Sequence, residues 1–189
     1  MSIVFQRKAT HGGQLVMRPG VLAAAAITGL GLICGGAQAT RLTYPTADNP
    51  YCNVPTYALR DVPEQAMSTL DSNGTPVIVV SSIALRDKPA YGRFLMAHEC
   101  CHHSLGHVRL YHEEFGHLGP QPFFYIAPQL KKMELDADCC AVKLLKAKSE
   151  TDAVEAAHQT MTDFGTQPTG AYYPTGIERA ENIEKCAQE

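Results

Sequence analysis

The stretch His98-Glu99-Cys100-Cys101-His102 constrains this chain more than any other. On a helix, residues four apart lie on one face, about a turn apart. The imidazoles of His98 and His102 then reach one metal ion. Glu99 sits about 100° round the helix from His98 and about 60° from His102. Its carboxylate can touch a water on that ion without being a ligand. Neutral imidazoles suit Zn²⁺, and a catalytic zinc needs a third protein ligand and a position open for water. A carboxylate beside that water supplies a general base. The alternative is a surface helix that happens to carry histidines. The flanks oppose it, because Phe94, Leu95, Cys101 and Leu105 lie on or beside the same stripe. The histidines therefore face inward, where an unpaired polar group is costly.

The third ligand is found downstream. Residues 129–147 read as a helix with Met133, Ala137, Cys140, Val142, Leu144 and Leu145 as its apolar positions. It carries Glu134-Leu135-Asp136-Ala137-Asp138. Glu134 and Asp138 share a face, so Glu134 completes a zinc site. Asp138 can accept a hydrogen bond from the far nitrogen of a liganding histidine and fix its tautomer. Asp136 faces elsewhere, into solvent. Taken alone, this cluster reads as well as a solvated acidic face. Taken with His98 and His102, it reads as the rest of a metal site.

The other histidines fit less well. Pro89 opens the central helix, which the sequence carries to about Gly106. His107 is nine residues past His98, about 180° away on a regular helix, so it cannot join the same metal. His103 and His107 read as solvated groups or as neighbours of the ligands. Leu105 and Val108 stand where the metzincin pattern His-Glu-x-x-His-x-x-Gly-x-x-His needs Gly and His. Residues 109–128 hold His112, Glu113, Glu114, His117 and the run Phe123-Phe124-Tyr125, and read as a long loop beside the cleft. A second metal on His112 and His117 is the weaker reading of that loop.

Residues 1–39 read as a secretory signal. Arg7, Lys8 and Arg18 precede an apolar run from Val21 to about Cys34, and no acid occurs before Asp48. Ala37-Gln38-Ala39 gives an Ala-x-Ala cleavage signature. The run is too short for a comfortable membrane span, and translation could start at Met1 or at Met17. The remainder, 40–189, suffices for one domain with its own core. Its formal charge is three units more negative than the -3 of the whole chain. A mildly acidic domain without a basic patch argues against nucleic acid. Cys34 leaves with the signal, and Cys52, Cys100, Cys101, Cys139, Cys140 and Cys186 remain. An even count after an export signal indicates disulfides in the periplasm or outside the cell. Thiolate zinc ligands are disfavoured, since the adjacent cysteines lack Cys-x-x-Cys spacing.

Elsewhere the signals are coarser. Residues 57–62 suggest a short strand and 64–70 a helical turn. Residues 71–76 are a strong turn signal. Residues 77–81 are β-branched and read as a strand, either beside the cleft where an extended peptide could pair with it or inside a small sheet. Residues 151–164 form a helix capped by Thr151 or Ser149, with Val154, Ala157, Met161 and Phe164 buried. His158 there is an ordinary histidine. A loop over 165–174 leads to a last helix from about Thr175 to Ala187.

These residues resemble the gluzincin metallopeptidases of the HtpX and CAAX-prenyl-protease kind, above all their small soluble exported relatives. The resemblance rests on His98-Glu99-Cys100-Cys101-His102-His103 with Gly106-His107, on Glu134-Leu135-Asp136-Ala137-Asp138-Cys139, and on Tyr173-Pro174 with Arg179. It covers roughly residue 76 to the C-terminus. It implies an α+β fold, a helical zincin-like core with a small β-sheet. It implies Zn²⁺ on His98, His102 and Glu134, Glu99 as general base toward the zinc-bound water, and Asp138 behind the ligands. The expected activity is hydrolysis of peptide bonds in a peptide or protein substrate, with no membrane span after signal cleavage. One departure bears on catalysis. The family has His before the Pro of its last motif, where this chain has Tyr173, preceded by Tyr172. A tyrosine hydroxyl can make the same hydrogen bond to an oxyanion. The departure also leaves room for a zinc-containing envelope protein with chaperone-like or scaffolding action and little peptidase activity. A thiol-redox role is weak without Cys-x-x-Cys spacing. For the disulfides, Cys100–Cys139 would pin the two metal-binding helices together, and Cys101–Cys140 with Cys52–Cys186 would complete a set.

Overall fold

The computed structural model describes residues 44–115 and 123–189. The expected signal over 1–39 lies outside them, as does His117. Three strands, β1 (Thr56–Leu59), β2 (Ala66–Leu70) and β3 (Pro76–Ser81), form a sheet of order β1-β3-β2. β1 runs parallel to β3 and β2 antiparallel to it. Helices follow: α1 (Ser82–Asp87), α2 (Pro89–Ser104), α3 (His107–Leu110), α4 (Phe123–Ala147), α5 (Thr151–Phe164) and α6 (Gly176–Gln188). The fold is α+β, a helical body with a small sheet against α2.

β3 alternates as a half-buried strand should. Ile78 and Val80 are fully buried toward α2, while Val77 and Val79 are partly exposed. Being central, β3 is an interior strand with neither edge free for a peptide. The turn before it forms as its residues dictate. The Asp71 carboxylate accepts from the backbone N–H groups of Asn73 and Thr75, each at 2.8 Å, and Gly74 takes φ 79.

The helical turn expected over 64–70 is instead β2. Glu64 and Gln65 sit at φ 56 and 68, in the left-handed region no right-handed helix can use. The following residues pair with β3, and Ala66 and Ser68 turn into the core. Local helix propensity loses to sheet pairing here. The loop expected over 109–128 is also largely helical. Its described residues are the end of α3, a π-helical turn Tyr111–Phe115, and the first residues of α4. Pro128 lies inside α4, near its start, where its missing N–H costs one backbone bond. At α5 neither Ser149 nor Thr151 caps. The capping position is Glu150, whose side chain makes no capping bond and pairs instead with Tyr51 and Arg93, while Ser149 sits at φ 61. At α6 Thr175 and Glu178 form a reciprocal capping box.

The core lies between α2, the sheet and α4 to α6, around Phe94, Ile78, Leu145 and Ile183. Three disulfides brace it: Cys52–Cys100, Cys101–Cys140 and Cys139–Cys186, with Cα separations of 5.8, 5.9 and 5.3 Å. Cys101–Cys140 is the expected pair that forms. Cys100–Cys139 and Cys52–Cys186 do not. Neighbours on a helix diverge by about 100°. On α2, Cys101 faces α4 and Cys100 turns to the segment before β1. On α4, Cys140 faces α2 and Cys139 turns to α6.

Candidate metal centre

α2 enters beneath the sheet with Pro89 at its first turn and is buried almost from end to end from Tyr91 to His102. His98 and His102 lie one turn apart on the face toward α4, 3 % and 0 % exposed. Their Nε2 atoms are 3.0 Å apart. Glu134 of α4 faces both, with its oxygens 3.4 Å from His98 Nε2 and 3.5 Å from His102 Nε2. The ligating atoms of these three buried residues lie within 4.8 Å of one another. Two ligand atoms each about 2.1 Å from a tetrahedral ion are roughly 3.4 Å apart, so the spacing fits one metal ion.

The buried charges fit as well. Among the described residues, Glu99, Glu134 and Asp138 are all buried, against one buried guanidinium, Arg179. That leaves a formal excess of negative charge in a region of low dielectric, where a bound dication would offset it.

Around the three convergent groups lies a ring of oriented partners. Asp138, fully buried, places Oδ1 2.9 Å from His98 Nδ1. Burial opposes a charge on His98, but the carboxylates of Asp138 and Glu134 outweigh it and hold its pKa above the ordinary value. Asp138 is gripped in turn by Arg179, whose Nε donates to Oδ2 at 2.8 Å and Nη2 to Oδ1 at 2.6 Å. Burial opposes the Asp138 charge, and Arg179 overrides it, so its pKa lies below the usual carboxylate value. His102 has a different partner. Its Nδ1 lies 3.1 Å from Nδ1 of His107, and burial pushes its pKa well below the ordinary value. His103 points away and bonds the carbonyl of Val77 at 3.1 Å. Asp136 faces outward and pairs with Lys132 at 2.5 Å.

A cavity of about 70 Å³ opens onto the cluster, room for a few waters. Glu99, 3 % exposed, lines it beside His98 and Glu134. Tyr173 lines it too, from the loop before α6. Its hydroxyl is buried and has no hydrogen-bond partner among the described residues. Burial, then the nearby Glu134, Glu64 and Glu99, push its pKa well above that of a free phenol. Tyr172, at φ 69, is exposed, so of the adjacent tyrosines only Tyr173 faces the cavity. Gly170 makes room for that ring, since a Cβ there would sit 2.5 Å from Tyr173 Cδ2.

The structure thus brings together His98, His102, Glu134, Glu99, Asp138 and Tyr173. Sequence reasoning assigned no task to Arg179 or His107. The signal for Arg179 was its place after Tyr173-Pro174 in the last motif of the resemblance. The signal for His107 was Gly106, which stops the helix. No family model, curated protein or solved structure matches the chain.

Proposed function

We propose that this chain is an exported zinc metallopeptidase, of the gluzincin kind its motifs resemble. The observation that carries the reading is a buried His98, His102 and Glu134 group that could hold a metal ion, two of whose members, His98 and Glu134, line one cavity together with Glu99 and Tyr173. The trio's donor set, two imidazoles and a carboxylate, is that of a catalytic rather than a structural zinc site. Bound there, zinc would supply Lewis acidity, acidifying a water and polarising a carbonyl.

His98 and His102 would hold the ion through their Nε2 atoms and Glu134 through its carboxylate. Glu99 takes the proton of the attacking water and delivers it to the leaving amine. Tyr173 donates its hydroxyl hydrogen to the carbonyl oxygen as negative charge develops there. Its raised pKa keeps that hydrogen in place at neutral pH. Asp138 and Arg179 fix the His98 ring. The substrate is a peptide or protein, and the mildly acidic domain offers no basic surface for nucleic acid. Export agrees with the disulfides. No described helix is long and apolar enough to cross a membrane.

A zinc-containing scaffold or chaperone-like protein is the second reading, favoured by tyrosine where the family has histidine and by the small size of the cavity. Glu99→Gln separates the two. On the peptidase reading, hydrolysis of a denatured protein substrate falls about 10²- to 10⁴-fold while bound zinc is unchanged. Full hydrolytic activity in Glu99→Gln removes Glu99 from the mechanism. Absence of hydrolysis by the wild type leaves the scaffold.

A further inference from the structure

We infer that His107 is the positioning residue for His102, accepting the Nδ1 proton that fixes the tautomer in which His102 can ligate a metal. The inference rests on the metal-site reading above and deepens it.

On a continuous helix His107 would lie about 140° round from His102, and the two rings could not meet. Gly106 breaks the helix at φ 75, in the left-handed conformation that glycine adopts without strain. α3 starts afresh, and its first residue, His107, comes back against His102. The ring is 7 % exposed, and the centroids stand 5.1 Å apart at 64°. The facing atoms are Nδ1 and Nδ1, 3.1 Å apart.

Such a contact holds one hydrogen, and only one ring can supply it. His102 Nε2 lies 3.5 Å from a Glu134 carboxylate oxygen and 3.0 Å from His98 Nε2. If it is to bind a metal, the imidazole hydrogen must sit on Nδ1. His102 therefore donates, and His107 accepts through a bare Nδ1 with its own hydrogen on Nε2. A hydrogen on Nδ1 of His107, in the other tautomer, would force the His102 hydrogen onto Nε2 and close the metal site. The two histidine ligands are thus supported unequally. His98 is backed by a carboxylate anchored to Arg179, and His102 by a neutral imidazole, a weaker acceptor. The second ligand is left less basic, and a bound ion more electrophilic, than with two carboxylates.

The test combines zinc affinity with a spectroscopic reading of the tautomers. His107→Asn places an amide oxygen near the position of Nδ1 and keeps the acceptor. His107→Leu fills the space without one. In competition with a chromophoric chelator, the Asn variant is expected within a few fold of wild type. The Leu variant is expected to bind zinc about 10- to 100-fold more weakly. Zinc binding by His107→Leu equal to wild type overturns the inference. So does equal loss in both variants when both unfold at the wild-type temperature. Should either variant not fold, nitrogen-15 imidazole spectra of the zinc-loaded wild type decide. They should show a protonated Nδ1 on His102 and a bare Nδ1 on His107, and a protonated His107 Nδ1 contradicts the assignment. A wild type that binds no zinc would sink the metal-site reading itself, an outcome distinct from an indifferent His107.

Discussion

Arg179 and Asp138 are joined by two charge-assisted hydrogen bonds in a site where both are buried. Each is tolerable only because of the other, since removing one partner leaves an uncompensated charge in the interior. Arg179→Met should therefore destabilise the metal-free protein by about 3–5 kcal/mol, measured by urea unfolding at neutral pH. The sign with pH follows from the shift. Asp138 has a folded-state pKa below its unfolded value of about 3.9. Its contribution is complete above that value and is lost as pH falls through the folded pKa. The gap between wild type and Arg179→Met should narrow over that acid range. Tyr173 is the other residue whose setting makes a sharp claim. Tyr173→Phe should lower kcat about 10²- to 10³-fold, with KM and bound zinc little changed. Gly170→Ala should imitate it by pushing the ring aside. Wild-type kcat in Tyr173→Phe would remove the hydroxyl from the reaction. His98, His102, Glu134 and Asp138 were legible because helix spacing alone puts each pair on one face. His107 was not, because that same geometry, carried past Gly106, points it the wrong way.

At the scale of elements, the site belongs to the packing of α2 on α4 and of α6 on α4, and each contact carries a covalent tie. Cys101–Cys140 lies one residue from His102 and two from Asp138. It closes a loop of 39 residues, worth about 4 kcal/mol by chain entropy. Replacing both cysteines by serine should lower the unfolding temperature substantially. It should also weaken zinc binding, because the ligands on α2 and α4 lose their fixed spacing. Zinc affinity equal to wild type in the folded double variant would show that the helix packing alone sets that spacing. The helices were readable from apolar periodicity, and the turn before β3 from its Asp, Asn and Gly. β2 was hidden, because Glu64, Gln65, Ala66 and Met67 favour helix and only pairing with β3 reverses them. Disulfide partners were hidden for a related reason. The choice between neighbouring cysteines depends on where α6 and the segment before β1 come to lie, which is a tertiary fact.

Among the described residues, three disulfides tie the segment before β1, α2, α4 and α6 together, and His98, His102 and Glu134 converge where α2 meets α4. The α+β architecture agrees with what the motif resemblance implied, and the strand over 77–81 and the helices over 129–147 and 151–164 were readable from the residues themselves. The proposed activity requires a bound metal, so metal content is its most direct test. The measurement that tests it most directly is elemental mass spectrometry on the purified, oxidised protein, wild type beside Glu134→Ala. The expected result is about one zinc per chain in the wild type and its loss in Glu134→Ala. A wild type without zinc, or a variant that keeps it in full, would contradict the three-ligand site and the peptidase built on it.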